Sequence, residues 1–363
     1  MSEYYNIPDL PLPYDFESKA VMRQLVAAHR CLAQLHGLMG TIPNESILIS
    51  TLTLQEARES SFLENIVTTQ DDLYKTDLHM KSFANPAAKE VLNYRAAIEC
   101  GFRLVKNRRI LTCNDIKEIQ QQLEHNNAGF RSVPGTMLRR GDGTVVYVPP
   151  QEGPEVERLM ANLERFINDD LLCDLDPLIK MAIVHHQFES IHPFYDGNGR
   201  TGRIINILML ITSGLLDLPI LYLSRYITRN KAEYYCLIQT IRDKNTDNYR
   251  EWENWILFIL RGVEETARDT IHLINAISEL MATYKGILSP IFGRQYKDEL
   301  LNNLFKHPYT KIEFMERDMM VSRQTAGKYL ELIVDKGLLQ KVKMGKENYY
   351  INTALVDIFL QRK

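Results

Sequence analysis

The sequence predicts a mainly α-helical protein with one β-hairpin in its body and a small C-terminal unit of helices closed by a second hairpin. Three observations carry this. Apolar residues recur at helical spacing along most of the chain. Thr136–Pro149 (TMLRRGDGTVVYVP) breaks that habit with two β-prone runs around Gly141-Asp142-Gly143, a hairpin signal. After Gly286–Gly293 (GILSPIFG), which reads as an interdomain joint, short helices give way to short strands.

The elements follow in order. Glu17–Met39 has apolar residues at helical spacing and Gly40 at its C-cap position. Helices are then expected at Ala87–Lys106, Asn114–Asn126, Glu155–Asn168, Pro177–Ser190, Arg203–Thr212 and Lys231–Arg242, and from Tyr249 to about Tyr284. The tail predicts helices at Gln295–Phe305, Lys311–Arg317 and Ser322–Lys336. Strands Leu339–Lys343 and Asn348–Ile351 follow, around the turn Met344-Gly345-Lys346-Glu347. Three helices and a hairpin in about 60 residues is a winged-helix arrangement. The expected domains are 1–110, 111–285 and 294–363.

With 363 residues, 45% hydrophobic and 25% charged, the chain has the composition of an ordinary globular protein of more than one domain. The net charge of −3 carries no polyanion-binding signature. From Arg294 onward, 13 Lys and Arg face 9 Asp and Glu, a net of +4 that leaves −7 for the rest. That asymmetry makes the tail a candidate for DNA contact, weighed below a protein-docking or dimerising role. Five scattered cysteines without a CxxC pair argue against zinc and a disulfide framework, and the expected compartment is the cytoplasm. The segment MSEYYNIPDLPLPYDF is not expected to be a signal peptide. Asn206, Gly214, Asp217 and Pro219 interrupt the apolar run Ile204–Leu223, so no membrane span is expected there. Adjacent His185 and His186 lack an i,i+4 partner, which favours packing over metal ligation.

The chemistry concentrates in His192-Pro193-Phe194-Tyr195-Asp196-Gly197-Asn198-Gly199-Arg200-Thr201-Gly202-Arg203. Gly197 and Gly199 let the backbone turn and aim successive N–H groups at one point, an anion nest. The apolar run that follows makes the loop a helix N-terminus, whose orphan donors favour phosphate. Arg200 and Arg203 are three apart and can both reach phosphates. Asp196 offers a hard oxygen for a divalent ion, and the ordinary pKa of His192 suits removal of a proton from a hydroxyl.

HPFYDGNGRTGR resembles the Fic signature His-x-Phe-x-(Asp/Glu)-Gly-Asn-Gly-Arg-x-x-Arg at every fixed position. The resemblance implies a helical Fic-like core in which Thr136–Pro149 is a target-positioning flap, with Val145, Val146 and Tyr147 on it. It implies AMP transfer from ATP to a Ser, Thr or Tyr hydroxyl, with His192 as base and Asp196 holding Mg²⁺ on the phosphates. Gly197, Asn198, Gly199, Arg200, Thr201, Gly202 and Arg203 would form the nucleotide site, Arg203 gripping the γ-phosphate, and Tyr234 and Tyr235 would contact adenine. A kinase-like branch carries Lys at the second glycine, so Gly199 favours nucleotidyl transfer.

Upstream, Ser60-x-x-x-Glu64-Asn65 is similar to the inhibitory-helix motif (Ser/Thr)-x-x-x-Glu-(Gly/Asn) of autoregulated Fic proteins. A Glu64–Arg203 ion pair would occupy the γ-phosphate's partner. Ser61-x-x-Glu64 also reads as a capping box at a helix start. The partners implied are a protein hydroxyl, the chain itself in self-modification, a second copy in a homodimer, and DNA. Rival readings are a DNA-binding regulator with the core as nucleotide sensor, AMP removal with Glu64 orienting water, and use of UTP or CTP.

Overall fold

The computed structural model describes residues 5–40, 44–69, 72–73, 76, 85–243, 248–344 and 347–360. Its described elements begin α1 (Lys19–Met39), α2 (Glu45–Leu63), α3 (Pro86–Val105), α4 (Cys113–Glu124), β1 (Leu138–Arg139) and β2 (Val145–Tyr147). They continue α5 (Gly153–Asn168), α6 (Pro177–Ile191), α7 (Asn198–Thr212), α8 (Leu223–Arg229), α9 (Lys231–Asp243) and α10 (Tyr249–Phe292). The last are α11 (Asp298–Lys306), β3 (Tyr309–Thr310), α12 (Ile312–Met319), α13 (Arg323–Asp335), β4 (Gln340–Met344), β5 (Glu347–Ile351) and α14 (Thr353–Leu360). Two compact units result, Met1–His36 with Thr53–Arg268 and Gly37–Leu52 with Asp269–Lys363.

In the first unit, α6 and α7 form the centre. Both are buried around nearly their whole circumference, as expected of helices that lack a polar stripe. Helix α7 packs on α3, α4 and α6. Its approach to α3 depends on Gly101, where a Cβ would lie 2.7 Å from Leu208 Cδ1. Each fully buried Ile or Leu of α7 contributes roughly 1.5–3 kcal/mol. Trp252 and Trp255 of α10 close the other side of α6, with His186 4.5 Å from Trp252 and His185 stacked 5.9 Å from Trp255. Burial holds the His185 imidazole down to about 3, so it is a neutral core ring bonded to Tyr234 Oη at 2.9 Å.

The second unit contains the winged helix. Its sheet has the order β3-β5-β4, antiparallel, with Tyr309 opposite Ile351 and Val342 opposite Tyr349. Ser322 caps α13 through the Thr325 amide at 3.2 Å. Gly345 and Lys346 of the expected wing turn lie outside the described residues. No described helix is long and apolar enough to cross a membrane.

The differences from the sequence reading have physical causes. Helix α10 continues to Phe292 through the segment read as a joint, with Pro290 inside its final turn. The inhibitory helix expected near 60–66 is the C-terminal end of the longer helix α2, whose earlier turns went unanticipated because they are buried on several sides at once. Ile47, Leu48, Leu52, Leu54 and Ala57 share its buried surface with Thr51, Thr53, Glu56, Ser60 and Ser61, so no amphipathic stripe exists. The capping-box reading of Ser61–Glu64 is overturned, because α2 ends there rather than starting.

Candidate active site

The loop begins where α6 stops. Asp176 and Pro177 start that helix, and His192 ends it with φ +50° and ψ +60°. The His192 amide still donates to Phe188 O at 2.9 Å, while its carbonyl accepts from Arg131 Nε at 2.7 Å. Arg131 also bonds the Ile191 and Pro193 carbonyls, which locks the His192 backbone. Burial is the first cause that pushes the His192 ring down, to about 3, followed by the charges of Arg242 and Arg131. The ring is therefore neutral at ordinary pH and able to accept a proton.

The turn into α7 is a self-closed structure. Asn198 Oδ1 accepts from the Phe194 amide and Asn198 Nδ2 donates to the Phe194 carbonyl, both at 2.8 Å. Gly197 sits at φ +79°, a conformation that favours glycine, and its amide donates to Asp196 Oδ1 at 2.7 Å. The Asn198 side chain is thus engaged in holding the loop. Asn198→Ala should cost about 1–3 kcal/mol of stability, because two buried peptide groups lose partners. A denaturant titration with an unchanged midpoint would contradict this.

The two arginines are buried and each meets acids. Arg203 donates through Nε to Ser60 Oγ at 2.7 Å, and through Nη2 to Ser60 O at 3.1 Å and Glu64 Oε1 at 2.8 Å. A Cβ at Gly199 would lie 2.5 Å from Glu64 Oε1, so the second glycine gives that carboxylate room. Burial alone would raise the Glu64 carboxyl, but Arg203, then Arg200 and His192, hold it below the usual carboxylate range. Arg200 donates to Glu124 Oε1 at 2.8 Å and more weakly to Glu90 Oε2 at 3.4 Å. A Cβ at Gly202 would lie 2.9 Å from Glu189 Oε1, an acid that burial raises to about 7.

The end of α2 explains the spacing around Glu64. The Ile66 amide bonds Ser61 O and the Asn65 amide bonds Phe62 O, both at 3.0 Å, and Asn65 has φ +63°. This is a Schellman termination, with Glu64 at the C-cap and Asn65 in the left-handed position that Gly or Asn fills most readily. Lys231 Nζ adds a bond to Leu63 O at 3.0 Å. The helix end thus fixes where the Glu64 carboxylate projects.

The remaining sequence candidates divide. Tyr147 is buried, donates to Ser190 O at 2.8 Å and lies under Arg242, 3.9 Å from its ring centroid. Strand β2 is thereby tied to the residues just before His192, with Val145 exposed and Val146 half-buried. Tyr234 is packed in the core against His185, Trp255 and Phe258, whereas Tyr235 is 46% exposed with its ring 5.1 Å from that of Tyr234. Thr201 is buried in the first turn of α7. Glu124, Glu90, Arg131, Arg242 and Glu189 went unread in the sequence, since each reaches the loop from a segment with no motif of its own.

No group of three or more His, Cys, Asp or Glu among the described residues could hold a metal ion. A Mg²⁺ ion shared with phosphates needs only one or two carboxylates. Asp196, exposed at the loop tip beside the N-terminus of α7, fits that demand.

Comparison with known proteins agrees with this geometry. Residues 22–103 match the Fic/DOC family N-terminal model, 110–210 the Fic/DOC family model, and 286–355 the model for the C-terminal domain of SoFic-like protein adenylyltransferase. The chain is 34% identical over 151 residues to protein adenylyltransferase fic-1 of Caenorhabditis briggsae, covering 40% of this chain and 27% of that protein. It is 33% identical over 106 residues to protein adenylyltransferase Fic of Drosophila melanogaster, covering 29% and 20%. The matched part thus spans about a quarter or less of these relatives' length. A Fic family protein from Desulfovibrio desulfuricans shares the fold with a TM-score of 0.58 at 19% identity, over 93% of this chain and 97% of that one. Fic-1 (aa134–508) from Caenorhabditis elegans does so with 0.53 at 18%, over 70% and 73%. With three successive segments matched and the signature loop folded between two buried helices, the chain belongs to the Fic/DOC family.

Proposed function

We propose that the chain is a protein adenylyltransferase that moves AMP from ATP to a Ser, Thr or Tyr hydroxyl of a protein and is held in check by Glu64. The observation that carries this reading is the Arg203 guanidinium, which belongs to the same His192–Arg203 segment, is buried at the start of α7 and bonds Ser60 and Glu64 at the end of α2. The names of the curated relatives support the same activity.

The chemistry follows from the parts. The first-turn amides of α7 and the two arginines bind the triphosphate. His192 takes the proton of the target hydroxyl, whose oxygen bonds to the α-phosphorus as the bond to the β-phosphate breaks and pyrophosphate leaves. Mg²⁺ held by Asp196 would supply charge neutralisation on the phosphates. The several negative charges of a triphosphate in the site would also offset the charges of Arg242 and Arg131 that, after burial, hold the His192 ring down, and would make it a stronger base when substrate is present. Strand β2, with Val145 exposed, offers an edge along which a target backbone is positioned.

The test is the position of the label. ATP labelled on the α-phosphate should mark protein, including the chain itself, and ATP labelled on the γ-phosphate should not. Equal marking from both would make the protein a kinase. Parallel assays with UTP and CTP settle nucleotide choice by the same readout.

A further inference from the structure

The loop carries three glycines and two arginines, and at two of the glycines, Gly199 and Gly197, the structure sets a carboxylate that also bonds one of the arginines. Glu64 bonds Arg203 and lies against Gly199. Glu124, the last residue of α4, bonds Arg200 and lies against Gly197, where a Cβ would fall 3.0 Å from Glu124 Cγ and 3.1 Å from Cδ. The two acids come from different helices, and each has its own arginine. We infer that Glu124 is a second, independent gate on the nucleotide site, a resident anion in the seat of the phosphate next to the one Glu64 blocks. This rests on the ATP-using reading above.

Three features make Glu124 a competitor of phosphate rather than a support behind Arg200. Its carboxylate lies against Gly197, the nest residue at the turn into α7, so a phosphate drawn to Arg200 there meets it. The Arg200 and Glu124 side chains are only 6% and 14% exposed, so their attraction is weakly screened, whereas Glu90 is 48% exposed. Finally, burial first, and then the like charges of Asp196, Glu90 and Glu64, oppose the ionised form of Glu124 against the pull of Arg200 and ease its displacement from that arginine. A phosphate that takes Arg200 leaves this carboxylate free to turn away at the C-terminal end of α4, where His125 leaves the helix with φ +52°.

The experiment measures equilibrium binding of ATP and AMP to the full chain as wild type, Glu124→Gln, Glu64→Gly and the double variant. Glu124→Gln should tighten ATP about 5- to 10-fold in both backgrounds, the scale of one net hydrogen bond. It should leave AMP, which has no second phosphate, unchanged. Unchanged or weaker ATP binding in a Glu124→Gln protein that melts like wild type overturns the inference and makes Glu124 a structural support. Should that variant fail to fold, Glu124→Asp, one methylene shorter and so drawn back from Gly197 and Arg200, should tighten ATP about 2-fold, and no gain there overturns the inference equally. If Glu64→Gly neither binds ATP nor incorporates the α-label, the proposed activity fails and this inference with it. If Glu64→Gly does both while Glu124→Gln gains nothing, only the second gate falls.

Discussion

His192→Ala should reduce AMP transfer by about 10²–10⁴-fold, the usual contribution of a general base, while ATP binding and the melting temperature stay near wild type. The stability expectation comes from the way the backbone is held. Arg131 Nε bonds the His192 carbonyl and the His192 amide bonds Phe188 O, and neither bond needs the ring. The residue also sits at φ +50°, which alanine adopts at a modest cost. The pH profile offers a second reading of the same group. The base must be unprotonated, and burial with two nearby arginines lowers its pKa from 6.5 to about 3 in the free protein. The active form therefore persists as pH falls through 6.5, and kcat/KM should show no acid limb there. A His192→Ala protein with wild-type incorporation from α-labelled ATP would falsify the proposed mechanism.

Glu64→Gly should raise transfer by about 10- to 100-fold, because the carboxylate that holds Arg203 must otherwise be displaced by the γ-phosphate. Arg203 keeps its bonds to Ser60 Oγ and Ser60 O, so it stays in place to receive that phosphate. The loss of stability should be only about 1 kcal/mol, since the Glu64 side chain is 37% exposed and its pairing is partly screened. Asn65, which carries the left-handed turn, is untouched. Self-modification with α-labelled ATP and Mg²⁺ at equal protein concentrations gives the measurement. Unchanged or lower activity in a folded variant would reduce Ser60–Asn65 to a helix terminus without a regulatory role.

The sequence by itself determined the parts whose physics is local. The spacing of Gly197 and Gly199 before an apolar run announces a turn into a helix N-terminus, and the proposed phosphate site of His192, Asp196, Arg200 and Arg203 is readable there because such a site is built from consecutive residues. The β-hairpin and the winged helix were legible for the same reason, through turn residues and short-range periodicity. Other features depended on chain segments far apart in sequence. Only the tertiary structure showed that Ser60–Asn65 closes a helix, since α2 is buried on several sides and leaves no amphipathic trace for periodicity to find. Only packing showed that Tyr234 serves the core and that the Asn198 side chain is spent on the Phe194 peptide. Glu124, Glu90, Arg131 and Arg242 converge on the loop from helices and loops whose own sequences say nothing about phosphate. A charge changes its neighbour's chemistry across a few ångströms of space, and sequence order does not record that proximity.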